Sequence, residues 1–229
     1  MLEILNEFKK LERPHRVEKL KSFFRASPNG YGYENDKFFG LTVPETRKIA
    51  KKFKNISLKD VESLLKSDYH EVRLCALFIL REKYKKSPGE VIKVYLNNLE
   101  YVNNWDLVDS SAPYLLGQYL YDKDRTLLYD LAKSGDLWKQ RIAILSTFYF
   151  IKQNDFEDTL RISEILLNHK HDLIHKAVGW MLREIGKRNK EIEDSFLKKY
   201  YKFMPRTMLR YAIEKYPEEE RQKFLKGEI

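Results

Sequence analysis

Three stretches of this chain repeat one plan, and their spacing limits the fold more than any other feature. DYHEVRLCALFILREKY from Asp68, DLWKQRIAILSTFYFIKQ from Asp136 and DLIHKAVGWMLREIGKRN from Asp172 each run from an aspartate through a basic residue into an apolar helix. The basic positions Arg73, Arg141 and Lys176 stand 68 and then 35 residues apart, about two lengths and one length of the roughly 35-residue unit used by helical-hairpin arrays. The segment containing Trp105 fills the missing interval. Each unit of such an array buries its apolar face only by stacking on a neighbour. The repeat therefore predicts an all-α solenoid with a concave face open to a partner.

Helix punctuation agrees with that reading. Thr42-Val43-Pro44-Glu45 has the side chains of a capping box with proline in the first turn, and Ser87-Pro88-Gly89-Glu90 repeats the arrangement. They predict helices from Thr42 through Lys54 and from Ser87 through Leu99. Ser57 opens another before VESLLK, and Asp68, Asp136 and Asp172 read as caps. No stretch alternates convincingly as a strand. The Trp-Leu-Gly-Tyr signature of tetratricopeptide repeats is absent and the units are less regular than pentatricopeptide repeats, so irregular HEAT-like pairs fit best. Ser27 to Glu34, with Pro28, Gly30 and Gly32 among tyrosines, is the clearest loop. No linker is long enough to divide the chain, and residues 1–229 read as one HEAT-like repeat domain.

With 229 residues, 43% of them hydrophobic, the chain can bury a substantial core. Its lone cysteine, Cys75, excludes an internal disulfide and a cysteine-rich zinc cluster and points to a reducing compartment. MLEILNEFKK lacks a signal-peptide core, and the longest nearly apolar run, Ile142 to Ile151, is too short for a bilayer. A soluble cytoplasmic protein with no membrane partner is expected. Forty-three Lys and Arg against 34 Asp and Glu give a formal charge of +9, which favours a polyanionic partner.

Chemistry is concentrated in NNWDLVDSSAPYLLG, Asn103 to Gly117. Trp105 and Asp109 lie four residues apart and share a helix face with Ala112 and Leu116, which sets a carboxylate in an apolar stripe where burial is costly without a use or a partner. Pro113 cannot donate to the carbonyl of residue 109, so a kink or a new turn is expected near Ser110 or Ser111. Further along, Lys176, Trp180, Arg183 and Lys187 form one helical face beside a core stripe of Ile174, Val178, Met181 and Ile185. There an aromatic can pack on a sugar or base while cations meet phosphates. Arg141 lies beside Trp138, Ile142, Leu145 and Tyr149 and can hold a phosphate or pair with a carboxylate across the array. Lys199, Lys202, Arg206 and Arg210 extend the basic character, but Pro205 breaks their face and no individual role is assigned to them. His169, His171 and His175 lack the carboxylate signature of a metal site, and neither a nucleophile elbow nor a phosphate-binding glycine loop occurs. No metal or cofactor is expected.

The chain resembles the AlkD-like alkylpurine DNA glycosylases, HEAT-like repeat proteins of DNA alkylation repair. The resemblance rests on FFGLTVPETRKIAKKF, NNWDLVDSSAPYLLG, LWKQRIAILSTFYF, HKAVGWMLREIGK and TMLRYAIEKYPEEER, which span nearly the whole chain in order. It implies that Asp109 is the catalytic carboxylate, that Trp105 and Trp180 are lesion-side aromatics, and that Arg141 is an active-site or phosphate-binding arginine. Lys176, Arg183 and Lys187 join Trp180 as expected DNA contacts. Asn104 stands where some members carry a second aromatic, and Thr42 where some carry a polar amide.

The implied activity is monofunctional excision of cationic N3- or N7-alkylated purines from duplex DNA, with no obligate protein partner. Such a base leaves neutral, so it needs little acid assistance, and a carboxylate can stabilise the oxocarbenium-like sugar and orient water. The resemblance further implies contact mainly with the lesion's backbone and sugar rather than a dedicated base pocket. A noncatalytic HEAT-like scaffold binding nucleic acid or protein explains the repeats and the charge equally well, but it does not require Asp109 beside Trp105.

Overall fold

The computed structural model describes residues 2–32 and 34–229. Its secondary structure is helical throughout, in the order α1 (Leu2–Lys10), α2 (Val17–Phe24), α3 (Val43–Lys52), α4 (Leu58–Leu65), α5 (His70–Tyr84), α6 (Pro88–Leu96), α7 (Trp105–Ser111), α8 (Gln118–Leu120), α9 (Thr126–Lys133), α10 (Leu137–Ser146), α11 (Phe148–Lys152), α12 (Glu157–Ile165), α13 (Asp172–Gly186), α14 (Lys190–Tyr200), α15 (Arg206–Ala212) and α16 (Glu218–Lys226). Among the described residues the only extended pairing is an isolated parallel bridge between Lys37 and Tyr69. The all-α fold class expected from the cap signals and the missing strand alternation is what forms. The expected loop falls in turns and bends between α2 and Lys37, with Tyr33 outside the described residues.

Two compact units divide the chain, residues 1–115 and 116–229. In the first, α5 packs against α3, α4, α6 and α7. Surrounded in this way, every residue from His70 to Leu80 is buried, the pattern of a central helix rather than of a surface helix with one apolar stripe. Three of these residues, His70, Glu71 and Arg73, are polar or charged, and burying them requires partners. Glu71 shows the general solution. Its carboxylate accepts the amides of Gly40 (2.9 Å), Leu41 (3.2 Å) and Phe39 (3.2 Å), fixing the segment that leads into α3. Gly40 sits there at φ +89°, where a Cβ would meet the Arg13 carbonyl oxygen at 2.4 Å; glycine alone enters that conformation readily.

In the second unit α13 plays the central part, packing against α10, α14 and α15. Its stripe of Ile174, Val178, Met181 and Ile185 is fully buried, as the heptad-like spacing requires. Gly179 makes the α15 contact close, because a Cβ there would lie 2.4 Å from the Met208 carbonyl oxygen.

Caps follow the sequence at some helix starts and depart from it at others. Thr42 forms a complete capping box with Glu45, whose carboxylate also takes a two-pronged bond from Arg13 (2.8 and 2.6 Å). Ser57 caps α4 through the Asp60 amide, and Asp136 caps α10 through the amides of Trp138 and Lys139. Ser87 makes no side-chain cap. Asp68 and Asp172 are not caps either: α5 begins after Tyr69, and α13 begins after His171, whose Nδ1 accepts the Leu173 amide at 3.1 Å. Asp68 lies one residue too early and pairs with Lys37 at 3.0 Å instead.

Candidate functional site

Asn104 starts α7. Its side-chain oxygen accepts the Trp105 amide at 2.8 Å, while its amide nitrogen donates to the Phe24 carbonyl at 3.1 Å, so a buried polar residue ties the helix start to the end of α2. Gly32 permits this approach, since a Cβ there would come within 3.0 Å of the Asn104 side chain and 2.5 Å of the Phe24 carbonyl oxygen. Four residues on, Asp109 occupies the Trp105 face. Both are half-buried, whereas Leu107, Val108 and Ala112 are fully buried. The carboxylate therefore lies at the margin of the apolar stripe, not in its depth.

The break expected from Pro113 is present. α7 ends at Ser111, and Pro113–Gly117 winds into a wider π-turn, the usual accommodation of a residue that cannot fill its place in the ladder. The carbonyl of Ser110 is taken by Arg81 Nη1 at 3.1 Å. The Arg81 guanidinium lies 3.6 Å from the Tyr114 ring centroid.

Around Trp105 the first unit builds an aromatic and ionic cluster. Phe23 meets the indole edge-on at 5.5 Å and is 59% exposed, and Phe24 lies against it at 5.6 Å. Behind them His70, 1% exposed, stacks on Phe24 (4.4 Å) and Phe38 (5.2 Å). Its Nδ1 reaches Asp36 at 3.1 Å, and its Nε2 reaches Asp106 at 2.9 Å. Arg73 completes the set, donating to Asp36 (2.7 Å), Asn103 (3.2 Å) and the Ser67 carbonyl (3.0 Å). Burial opposes a charge on His70, but the carboxylates of Asp106 and Asp36 outweigh it and hold the imidazole up at about 9. It is a cation at neutral pH, donating at both nitrogens.

Sequence reasoning singled out Trp105 and Asp109 and missed His70, Asp36 and Asp106. A signal existed: Asp36, His70 and Asp106 are separated by 34 and 36 residues, close to one repeat length each.

In the second unit Arg141 is 4% exposed on α10 and donates from Nη1 to the Leu173 carbonyl at 2.6 Å. One of its prongs is thus committed to the first turn of α13. Trp180 is half-buried against Phe148 at 5.8 Å, and its indole N–H donates to Glu184 at 3.1 Å. The basic face along α13 is not uniformly basic. Glu184 also takes Lys187 (2.6 Å) and approaches Arg183 (3.7 Å), Arg183 pairs with Glu214, and Lys176 pairs with Asp172 at 2.7 Å. His169, His171 and His175 serve the loop before α13: His169 bonds Gln140 at 2.9 Å, and His175 donates to the His169 carbonyl. Among the described residues no group of three or more His, Cys, Asp or Glu is arranged to hold a metal ion.

Helical repeats arranged this way define a class of fold, and comparison with solved structures finds it elsewhere. A predicted DNA alkylation repair enzyme from Enterococcus faecalis matches with a TM-score of 0.72 at 16% identity, over 90% of this chain and 96% of that one. AlkD2 from Streptococcus mutans matches at 0.58 and 18%, over 88% and 97%, and smu.31 from Streptococcus mutans UA159 at 0.55 and 19%, over 86% and 94%. No curated protein matches significantly. Residues 4–216 match the family described as DNA alkylation repair enzyme, and the chain belongs to that family.

Proposed function

We propose that the protein is a monofunctional DNA glycosylase that releases cationic N3- or N7-alkylated purines from duplex DNA. One observation carries this reading: in a member of an alkylation-repair family, a half-exposed carboxylate, Asp109, shares a helix face with a half-exposed tryptophan beside the exposed ring of Phe23. As the bond from the sugar C1′ to the purine nitrogen breaks, its electron pair neutralises the cationic base, and positive charge develops on the sugar. Asp109 stabilises that charge, water adds at C1′, and its proton passes to the carboxylate or to solvent. Trp105 offers an aromatic face to the cationic sugar and lesion. In this reading Lys176, Arg183 and Lys187, on the second unit, contribute phosphate contacts.

The test is release of free base from duplex containing 7-methylguanine, compared with duplex containing uracil. Turnover of the alkylated duplex alone is expected, leaving abasic sites without nicks, because a carboxylate stabilises the developing sugar charge but donates no proton to a neutral leaving group. Asp109→Asn should retain duplex affinity and lose at least roughly a hundredfold in turnover, the scale of one removed transition-state contact. Duplex binding with no base release would instead favour a noncatalytic scaffold.

A further inference from the structure

The buried ionic cluster behind Trp105 is larger than the packing of one helix end needs. Asp36 and Phe38 face His70 from the segment before α3, Phe24 faces it from α2, Arg73 and Glu71 from α5, and Asp106 from α7. Among the described residues His70 is the sole hydrogen-bond partner of the Asp106 carboxylate, at 2.9 and 3.1 Å. Asp36, by contrast, is also held by Arg73. Asp106 lies in the first turn of α7, next to Trp105 and three residues before Asp109. Asn104 ties down the start of this short helix, and whatever fixes Asp106 adds the second point that sets its rotation.

We propose that His70 is a positioning residue of the site, its imidazolium clamping Asp106 against Asp36 and so holding α7 in the orientation that presents Trp105 and Asp109. The clamp requires the ring to be doubly protonated. A neutral imidazole has one N–H, so on deprotonation one carboxylate oxygen faces a ring lone pair at about 3 Å and the ring no longer holds both. The proton removed passes to solvent hydroxide, and no bond to the ring is made or broken. Stacking on Phe24 and Phe38 favours the charged form. Arg73, 2.7 Å from the other Asp36 oxygen, holds that carboxylate in place beside the ring.

The effect on turnover rests on the glycosylase reading, whereas the clamp itself is open to a direct test. In the wild-type protein, the His70 ring resonances and the Trp105 indole N–H resonance are followed by NMR from pH 6 to 10.5. A common inflection near 9 is expected. In parallel, kcat and KM on 7-methylguanine duplex are measured against pH for wild type and Asp106→Asn, the same duplex cancelling any titration of the substrate. The neutral amide removes the strongest support for the imidazolium, so the alkaline limb of kcat should move down by about one to three pH units with KM little changed. A purely structural residue would not make kcat track the His70 titration. An indole resonance indifferent to His70 overturns the inference, as does an active Asp106→Asn enzyme whose alkaline limb stays in place. If no base is released at any pH, the glycosylase reading fails, and the indole titration alone decides the clamp.

Discussion

His70 has a large consequence for the pH behaviour of the fold on the alkaline side. Its pKa is raised from 6.5 to about 9, so the stabilisation it contributes is complete below about 6.5 and disappears as pH rises through about 9. A shift of that size corresponds to roughly 3 kcal/mol. Urea unfolding free energy is expected to fall by about that amount between pH 6.5 and 10, and in His70→Gln the fall should be largely absent. At this scale spacing alone put Asp109 on the face of Trp105, and the structure has it there, half-buried at the margin of the apolar stripe. The sequence hid the character of Arg141 and Arg73. Their positions in the repeat were legible, but both are buried and bonded to backbone carbonyls, and a partner on another helix leaves no mark in the local pattern.

Helix starts are where local sequence and tertiary packing compete. Asp136 became a cap because its helix begins at the next residue, Leu137, whereas at Asp68 the bridge between Lys37 and Tyr69 holds the chain extended one residue longer and moves the start to His70. At Asp172 the His171 ring reaches the Leu173 amide first, leaving the aspartate inside the helix to pair with Lys176. The three similar segments should therefore respond differently to one substitution. Asp136→Ala removes the acceptor of two amides and should cost about 1 kcal/mol. Asp68→Ala loses only an exposed pair with Lys37 and should stay within about 0.5 kcal/mol of wild type. Urea melts of the two variants check the contrast, and equal losses would mean that Asp68 also caps in solution. The break at Pro113 was legible for the opposite reason: a missing N–H is a covalent fact that no packing reverses.

For the whole molecule, the formal charge of +9 says that a polyanion is favoured without saying where it binds. The α13 face expected to meet DNA carries its own carboxylates. Glu184 follows Trp180 by four residues and receives the indole N–H, Lys187 and, more distantly, Arg183. Counting cations along the face missed this, although the same spacing that aligned Lys176, Trp180 and Arg183 also brings Glu184 beside them. If phosphates approach this face, Glu184 competes with them for the cations. Glu184→Gln keeps the side-chain shape and an acceptor for the indole while releasing Lys187, with Arg183 still paired to Glu214. Affinity for undamaged duplex should rise several-fold at low salt, and the slope of log affinity against log salt should steepen by up to about one. A Glu184→Gln protein with unchanged affinity and slope would move the DNA contact away from α13 and take Lys176, Arg183 and Lys187 out of the interface with it.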